Sequence, residues 1–538
     1  MHDDEQVGRL FELSKDVMAG QLPPRLAQDL GFGFDYPFFN FYPSFVYYVA
    51  EIFHLFGFSF ITSTKLMIGL GFILAGIFMY LFAKEYFGRA GGVVSAIAYS
   101  YTPYHSMDVY VRGALPEFWS FVFVPAIFWS AYKLAQTRRH LYILVSALFI
   151  ACLILTHDLV AMMSSFFLGA YFIYLLITSK EKRKLFIELC VSFLLGLGFS
   201  AFFWLPGYFE KQYTMVYLLT QQSADYHRYF VCIRQFINSP WGYGASVPGC
   251  SDGLSFQVGQ AQLALAFISL AISSFFVWKK RKGYGIAVLF VVLFLFSLFI
   301  QTKYSLSIWN RIPQFAYIQF PWRFLIFSDF TIAFLTAFIF SFLKNRNIQI
   351  ISAVVMVAVL IILNKGSFVP ENYLTSVTDA NYTALSVIRW HTSQLSFEYT
   401  PIGIATKQLS PLSTVIAITP KEIPINSFVV IRGKMTVTQL QDIPQQKVLR
   451  VSVSQPGQLR FNTYIFPGWK TYIDDKEVPY TANNKLRLIT VELPAGQHTV
   501  RATFTDTPLR AAANGITLAS IIGVIVYLLL KKKSNKKK

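Results

Sequence analysis

Four groups of ionisable residues stand apart from the basic clusters of this chain, each where an apolar segment begins or ends. The first is His2, Asp3, Asp4 and Glu5. Carboxylates are favoured at a helix start, but one cap does not need three of them. Asp3 or Asp4 is therefore a candidate base, or a candidate ligand for a metal. The second group is Asp108, Arg112 and Glu117, in the run His105-Ser-Met-Asp-Val-Tyr-Val-Arg-Gly-Ala-Leu-Pro-Glu117. Pro116 suits a helix start with Glu117 in its first turn, and an ion at the edge of an apolar span must be paired or wetted. The third is Thr156-His157-Asp158, a histidine beside an acid between two apolar runs. The fourth is Phe320-Pro321-Trp322-Arg323. Trp322 fits an aromatic belt. Arg323 could snorkel or hold a phosphate through its fork of donors. Asp329, about two turns further on, is its candidate partner or a second site.

The chemistry open to these groups is acid–base work by carboxylates and anion binding by arginines. No HExxH, CxxC, Walker loop or GxSxG motif occurs in the sequence. ATP-driven and serine-hydrolase mechanisms therefore have no support.

The elements that must position these groups are membrane elements. Hydrophobic residues make up 54% of the 538, charged residues 14%, and mean hydropathy is +0.46. A soluble domain averages roughly 25% charged residues. The apolar residues gather into runs of about 17–23, the length that crosses a bilayer. The net charge of +19 comes from short clusters between those runs. Examples are Lys84/Arg89, Arg138/Arg139, Lys180/Lys182/Arg183/Lys184, Lys279/Lys280/Arg281/Lys282, Lys344/Arg346 and Lys531 onward. That is a positive-inside pattern, with contact to anionic lipid open, and it excludes a nucleic-acid partner.

Spans are expected at about 62–83, 89–104, 114–134, 140–156, 159–178, 185–206, 259–278, 284–301, 323–343, 348–364 and 513–530. The basic clusters fall after every second span. An odd count then sets the N-terminus opposite the Lys-rich tail, on the extracytoplasmic side. The expected organisation is a first outer loop at 1–61, a bundle at 62–364 with an outer loop at 207–258, an outer β domain at 365–512, a last span at 513–530 and a cytoplasmic tail at 531–538. Within the first loop, 4–19 reads as an amphipathic helix lying at the interface, with Arg9, Glu12, Lys15 and Asp16 on its polar face. Gly20 suits its C-terminal cap. The β domain alternates, as in Leu449-Arg-Val-Ser-Val453, which suits an antiparallel sandwich. Cys232 and Cys250 share one outer loop and could pair; spacing alone does not decide it. Cys152 and Cys190 lie in apolar runs.

Several stretches together resemble a known family. They are His2-Asp3, Gly20-Gln-Leu-Pro-Pro-Arg25, Gly31-Phe-Gly-Phe-Asp-Tyr-Pro37, Asn40-Phe-Tyr-Pro43, Asp108-Val-Tyr-Val-Arg-Gly113 with Glu117, and Phe320-Pro-Trp-Arg323. They look like the membrane proteins labelled 6-pyruvoyl-tetrahydropterin-synthase-related. Phe466-Pro-Gly-Trp469 with Leu493-Pro-Ala-Gly-Gln-His498 resembles the outer domain of YfhO-like proteins. The soluble pterin synthase needs a zinc-binding histidine set, which is missing here, so no synthase activity is expected.

The wider resemblance is to GT-C membrane glycosyltransferases. It implies a polytopic helical bundle with a C-terminal extracytoplasmic β domain, in the plasma membrane. It also implies sugar transfer from a polyprenyl phosphate to a cell-envelope glycan, lipid or protein. Asp3 would be the base, supported by Asp4 and Glu117. Arg25, Asp108, Arg112, His157, Trp322 and Arg323 would bind substrate, with Arg112 and Arg323 on the phosphate. A divalent cation, magnesium or manganese, stays open, with Asp3 and Asp4 as its ligands. That fold supplies a span before its catalytic loop, so a span is expected ahead of Met1; Leu26 also departs from the aromatic residue expected after Pro-Pro-Arg. Two other classes remain: a non-catalytic protein that moves or presents a lipid-linked glycan, and a structural anchor for the β domain. The anchor leaves most of the polar groups near the membrane unexplained.

Overall fold

The computed structural model describes residues 2–220, 225–277, 284–410 and 413–536. The Lys279–Lys282 cluster and the last two lysines lie outside them. The chain divides into two compact units. One comprises residues 1–4, 65–200 and 224–375; the other comprises 5–64, 201–223 and 376–538.

The first unit is a helical bundle. Across the whole chain, six helices among the described residues are long and apolar enough to cross a membrane, or eight if each of two bent pairs is one span. Each of the eleven expected segments is mainly helical over its described residues. The expected spans at 62–83 and 89–104 lie in a single run, Phe60–Ser100, interrupted at Gly88. Gly88 has φ 72° and ψ −176°, a conformation open essentially to glycine alone. The segments at 140–156 and 259–278 form shorter apolar helices. Two helices are buried almost throughout, Leu115–Thr137 and Leu325–Thr336. A helix that is apolar all round belongs at the centre of a bundle. Aromatic rings fill that centre: Phe290 and Phe334 stack at 3.9 Å, with Phe82 and Phe330 alongside. Other helices turn large apolar side chains outward, such as Ile173, Ile177, Val292 and Leu295. Such surfaces are unfavourable in water and natural in lipid.

The second unit carries the β-sheet. Its strands are β1 (Thr406–Ser410), β2 (Ser413–Ile416), β3 (Phe428–Ile443), β4 (Gln446–Tyr464), β5 (Trp469–Ile473), β6 (Lys476–Val478), β7 (Leu488–Leu493) and β8 (Gly496–Phe504). All pairings are antiparallel. The expected sandwich is corrected to one six-stranded sheet, with β1 and β2 as a separate ribbon. The physical reason is the length of β4. Its first half pairs with β8 and its second half with β7, while β3 runs along its other edge through several register shifts. One strand thereby joins what would otherwise be two layers.

Residues 5–64 pack onto this sheet. Phe34 accepts from the Tyr464 amide at 2.9 Å, and Asp35 meets Lys447 at 2.9 Å and the Thr463 hydroxyl at 2.6 Å. The expected interfacial helix forms at Gln6–Met18 and ends at Gly20, φ 75°. Its polar face, however, does not look outward. Arg9, Glu12 and Asp16 are buried, as are Leu10 and Leu13 on the other side. Pairing makes this possible for Arg9 and Glu12, whereas both Asp16 oxygens are buried without a hydrogen-bond partner. Arg9 meets Glu5 at 2.9 Å, Glu12 meets Lys15 at 2.6 Å, Lys15 meets Asp29, and Asp29 meets Arg389 at 2.6 Å.

The sheet runs into the last helix, Pro508–Lys536, through a three-residue link that Arg510 clamps. Its guanidinium is fully buried, meets Glu210 at 3.0 Å and donates to the Pro467 carbonyl at 2.8 Å. Glu210 also accepts from Asn40 at 2.9 Å and from Thr507 at 3.0 Å.

Candidate functional site

The bundle's densest polar cluster grows from the segment Asp108–Arg112. This is one wide helical turn, so Asp108 and Arg112 share a face. Gly113 closes it in the left-handed region, φ 72°, and the Ala114 amide returns to the Asp108 carbonyl at 2.8 Å. Pro116 then starts the helix Leu115–Thr137 and places Glu117 in its first turn.

Arg112 reaches three partners at once. It donates to Asp108, to the Tyr104 hydroxyl at 3.2 Å and to Glu117 at 2.8 Å. The Tyr104 hydroxyl donates in turn to the other oxygen of Glu117. The Trp322 ring lies 4.6 Å from the Arg112 guanidinium carbon, in cation–π contact. Arg323 brings its Nε to 3.3 Å from the same Glu117 oxygen and donates to the Ile318 carbonyl at 3.0 Å and to Gln319 at 3.2 Å. Asp108 and Glu117 are both buried. Burial, then the Glu117 charge, pushes the Asp108 carboxyl well above the usual range against the pull of Arg112. One Asp108 oxygen, Oδ2, is buried with no hydrogen-bond partner.

His157 feels the charges of Glu117, Arg323 and Arg112. Its ring also accepts from the Val160 amide at 3.2 Å, so it caps the helix Asp158–Thr178. Asp329 is corrected as the partner of Arg323. It is fully buried beside Thr102, and Arg323 takes Glu117 instead. His105 is a packing residue stacked on Phe121 at 4.1 Å; burial lowers its pKa to about 3 and keeps it neutral.

The chain's first residues dock on this cluster. The His2 amide donates to the Val111 carbonyl and the Asp3 amide to the Arg112 carbonyl, both at 2.8 Å. The His2 ring meets the Tyr243 carbonyl at 2.9 Å. Asp3 is half-buried and Asp4 exposed. Glu5 occupies the cap position of the first helix without a side-chain bond to it. Tyr243 lies in the loop that a Cys232–Cys250 disulfide closes, and Ser246 of that loop accepts from the Trp322 indole at 3.1 Å.

The structure thus brings Asp3, Asp108, Arg112, Glu117, His157, Trp322 and Arg323 into one unit. Arg25 lies in the other unit. There it is buried and donates to Asn40 at 3.2 Å and Asn514 at 3.4 Å; burial, then the Arg510 charge, lowers its pKa to about 10. Tyr104 is the member that sequence reading missed, since a tyrosine after a proline carries no signal of its own. A metal does not fit well: among the described residues no three His, Cys, Asp or Glu side chains are grouped to hold one.

A family model described as "6-pyruvoyl-tetrahydropterin synthase related domain; membrane protein" matches residues 39–374, well over half of the chain. No curated protein and no solved structure matches it.

Proposed function

Because the chain belongs to the 6-pyruvoyl-tetrahydropterin synthase related family of membrane proteins, we propose that it acts on a lipid-linked substrate at the bilayer, as a GT-C-like glycosyltransferase. The sugar donor in this reading is a polyprenyl phosphate, and the acceptor is a cell-envelope glycan, lipid or protein. The observation that carries it is the docking of His2 and Asp3 on Val111 and Arg112. It ties the backbone of the half-exposed Asp3 to the turn that carries Arg112, in the unit that also holds Arg323.

In the reaction, the Asp3 carboxylate takes the proton of the acceptor hydroxyl. The acceptor oxygen bonds to the anomeric carbon, whose bond to the phosphate oxygen breaks. The electron pair leaves with the polyprenyl phosphate, and Arg112 and Arg323 receive its charge. The Arg112 and Arg323 guanidiniums would meet the phosphate, while burial and then the Glu117 charge push the Asp108 carboxyl above its usual range. The face is assigned as extracytoplasmic in the plasma membrane. A disulfide suits an oxidising compartment, and the basic clusters suit the opposite side.

The test is transfer of radiolabelled sugar from polyprenyl phosphates in reconstituted membranes. Asp3→Asn should lower turnover by about 10²-fold or more, as expected for a lost base. Arg323→Ala should mainly weaken donor binding. A specific observation favours the second reading, a protein that moves or presents lipid-linked glycans without chemistry. Glu117 already takes both guanidiniums, so the network is closed without Asp3. Donor binding that survives Asp3→Asn, with no transfer by the unaltered protein, would select that reading.

A further inference from the structure

A second polar site lies in the β-sheet unit, independent of the cluster in the bundle. Along β4 the side chains alternate. Leu459 and Phe461 enter the core, while Arg460 and Asn462 face the other way. They open into a cleft of about 350 Å³ whose lining also includes Lys421, Glu422, Asn484, Lys485 and Phe428.

Three features distinguish this cleft from an ordinary charged surface. First, its cations are not balanced. Glu422 is consumed by Lys485 at 2.6 Å and by the Thr419 amide and hydroxyl, both at 2.9 Å. Arg460 and Lys421 have no carboxylate partner among the described residues. Arg460 is half-buried, and its Nε is buried without an acceptor. A desolvated guanidinium without an acceptor is costly. Second, an acceptor waits beside it. Asn462 is buried, its amide nitrogen donates to the Asn426 carbonyl at 2.8 Å, and its Oδ1 has no donor. Third, the walls are fixed. Asn484 is bonded in both directions to the Leu488 backbone, and Arg389 holds the Pro424 carbonyl. Ile425, 92% exposed at the rim, and Phe428 add apolar surface.

A fully ionised free anion would satisfy Arg460 but bring no donor for Asn462. A sugar that carries an acidic group brings both, and its C–H face suits the apolar rim. We propose that this cleft binds an acidic saccharide, with a carboxylate or phosphate on Arg460 and Lys421 and a hydroxyl on Asn462 Oδ1.

The experiment uses the full chain in lipid nanodiscs, with calorimetry and saturation-transfer NMR against glucuronate, glucose 6-phosphate, glucose and inorganic sulfate. The expected result is binding of the two acidic sugars, with glucose and inorganic sulfate each at least ~10-fold weaker, the scale of one charge-assisted hydrogen bond. The two acidic sugars separate a carboxylate source from a phosphate source. Arg460→Gln should weaken both by at least ~10-fold with an unchanged melting temperature. If that variant does not fold, Lys421→Gln and Asn462→Leu carry the same expectation. Glucose binding as well as glucuronate, or inorganic sulfate as well as glucose 6-phosphate, would overturn the proposal. So would acid-sugar binding unaffected by these substitutions, or no binding up to about 10 mM.

Discussion

Glu117 and Arg323 start two different helices, far apart in the chain, and meet at 3.3 Å. The same Glu117 oxygen lies 2.8 Å from Arg112. One buried carboxylate therefore bridges two guanidiniums and ties together the entries of both central helices. Glu117→Gln keeps the shape and removes the charge. It should destabilise the bundle by about 3–5 kcal/mol, the cost of leaving a buried ion unpaired. Thermal unfolding in detergent, followed by size-exclusion fluorescence, measures this. A melting temperature equal to that of the unaltered chain would show that the cluster is wetter than its burial implies.

Asp35 gives the second unit a pH dependence. Its carboxyl is buried, and desolvation outweighs the Lys447 ammonium and the Thr463 hydroxyl, so its pKa rises from 3.8 to about 6. Lys447 stays charged, because Asp35 and Asp442 outweigh its own burial. A raised carboxyl pKa means that the folded state holds the proton more tightly. The stability it contributes is full below pH 4 and is lost as pH rises to about 6, a change of about 3 kcal/mol. Asp35→Asn should abolish that slope. Melting curves of both proteins between pH 4 and 7 test it, and parallel curves would refute it.

The loop at 207–258 is stapled twice. Cys232 and Cys250 are bonded, 18 residues apart. Asp252 accepts from Ser239 at 2.6 Å and Gln235 at 2.8 Å. Cys232→Ser with Cys250→Ser should cost about 3 kcal/mol, the loop-closure value for a ring of this length. The loss should appear as faster proteolysis within 225–258, and Asp252→Ala should add to it. Equal protease lifetimes of the reduced and oxidised forms would assign the loop's order to Asp252 alone.

Orientation is tested with single cysteines at exposed positions, in a background without the four native ones. Ser454→Cys, on β4, should react with an impermeant maleimide on intact cells. Lys532→Cys, beyond the last apolar helix, should react only after lysis. The reverse pattern would invert the assigned topology.

Much of the architecture was legible because bilayer spans are long and monotonous. Every expected apolar run is mainly helical over its described residues, and the alternation Leu449–Val453 lies on a strand. A break between 83 and 89 was expected, and the run is interrupted at Gly88. The single sheet was not legible, because it depends on which partners the two halves of β4 select. Amphipathicity misled at 6–18, because a polar stripe looks the same whether it faces water or buried counter-charges. Asp29 and Arg389, the charges that decide it, lie elsewhere in the sequence. In the candidate site, Asp108, Arg112, Glu117 and Arg323 stood out as ions at span edges. Tyr104 did not, since only packing gives its hydroxyl a role. Arg460 was equally silent: an arginine on a strand's polar face looks solvated until the sheet is assembled around it.

The Arg510 clamp has a mechanical meaning. A domain on a slack tether reorients freely, and its stem tells it nothing. Here the sheet's turn at Pro467, the side chain of Glu210 and the first turn of the last helix meet in one buried joint. A tilt of that helix would therefore be carried through the joint into the sheet rather than absorbed by the link between them.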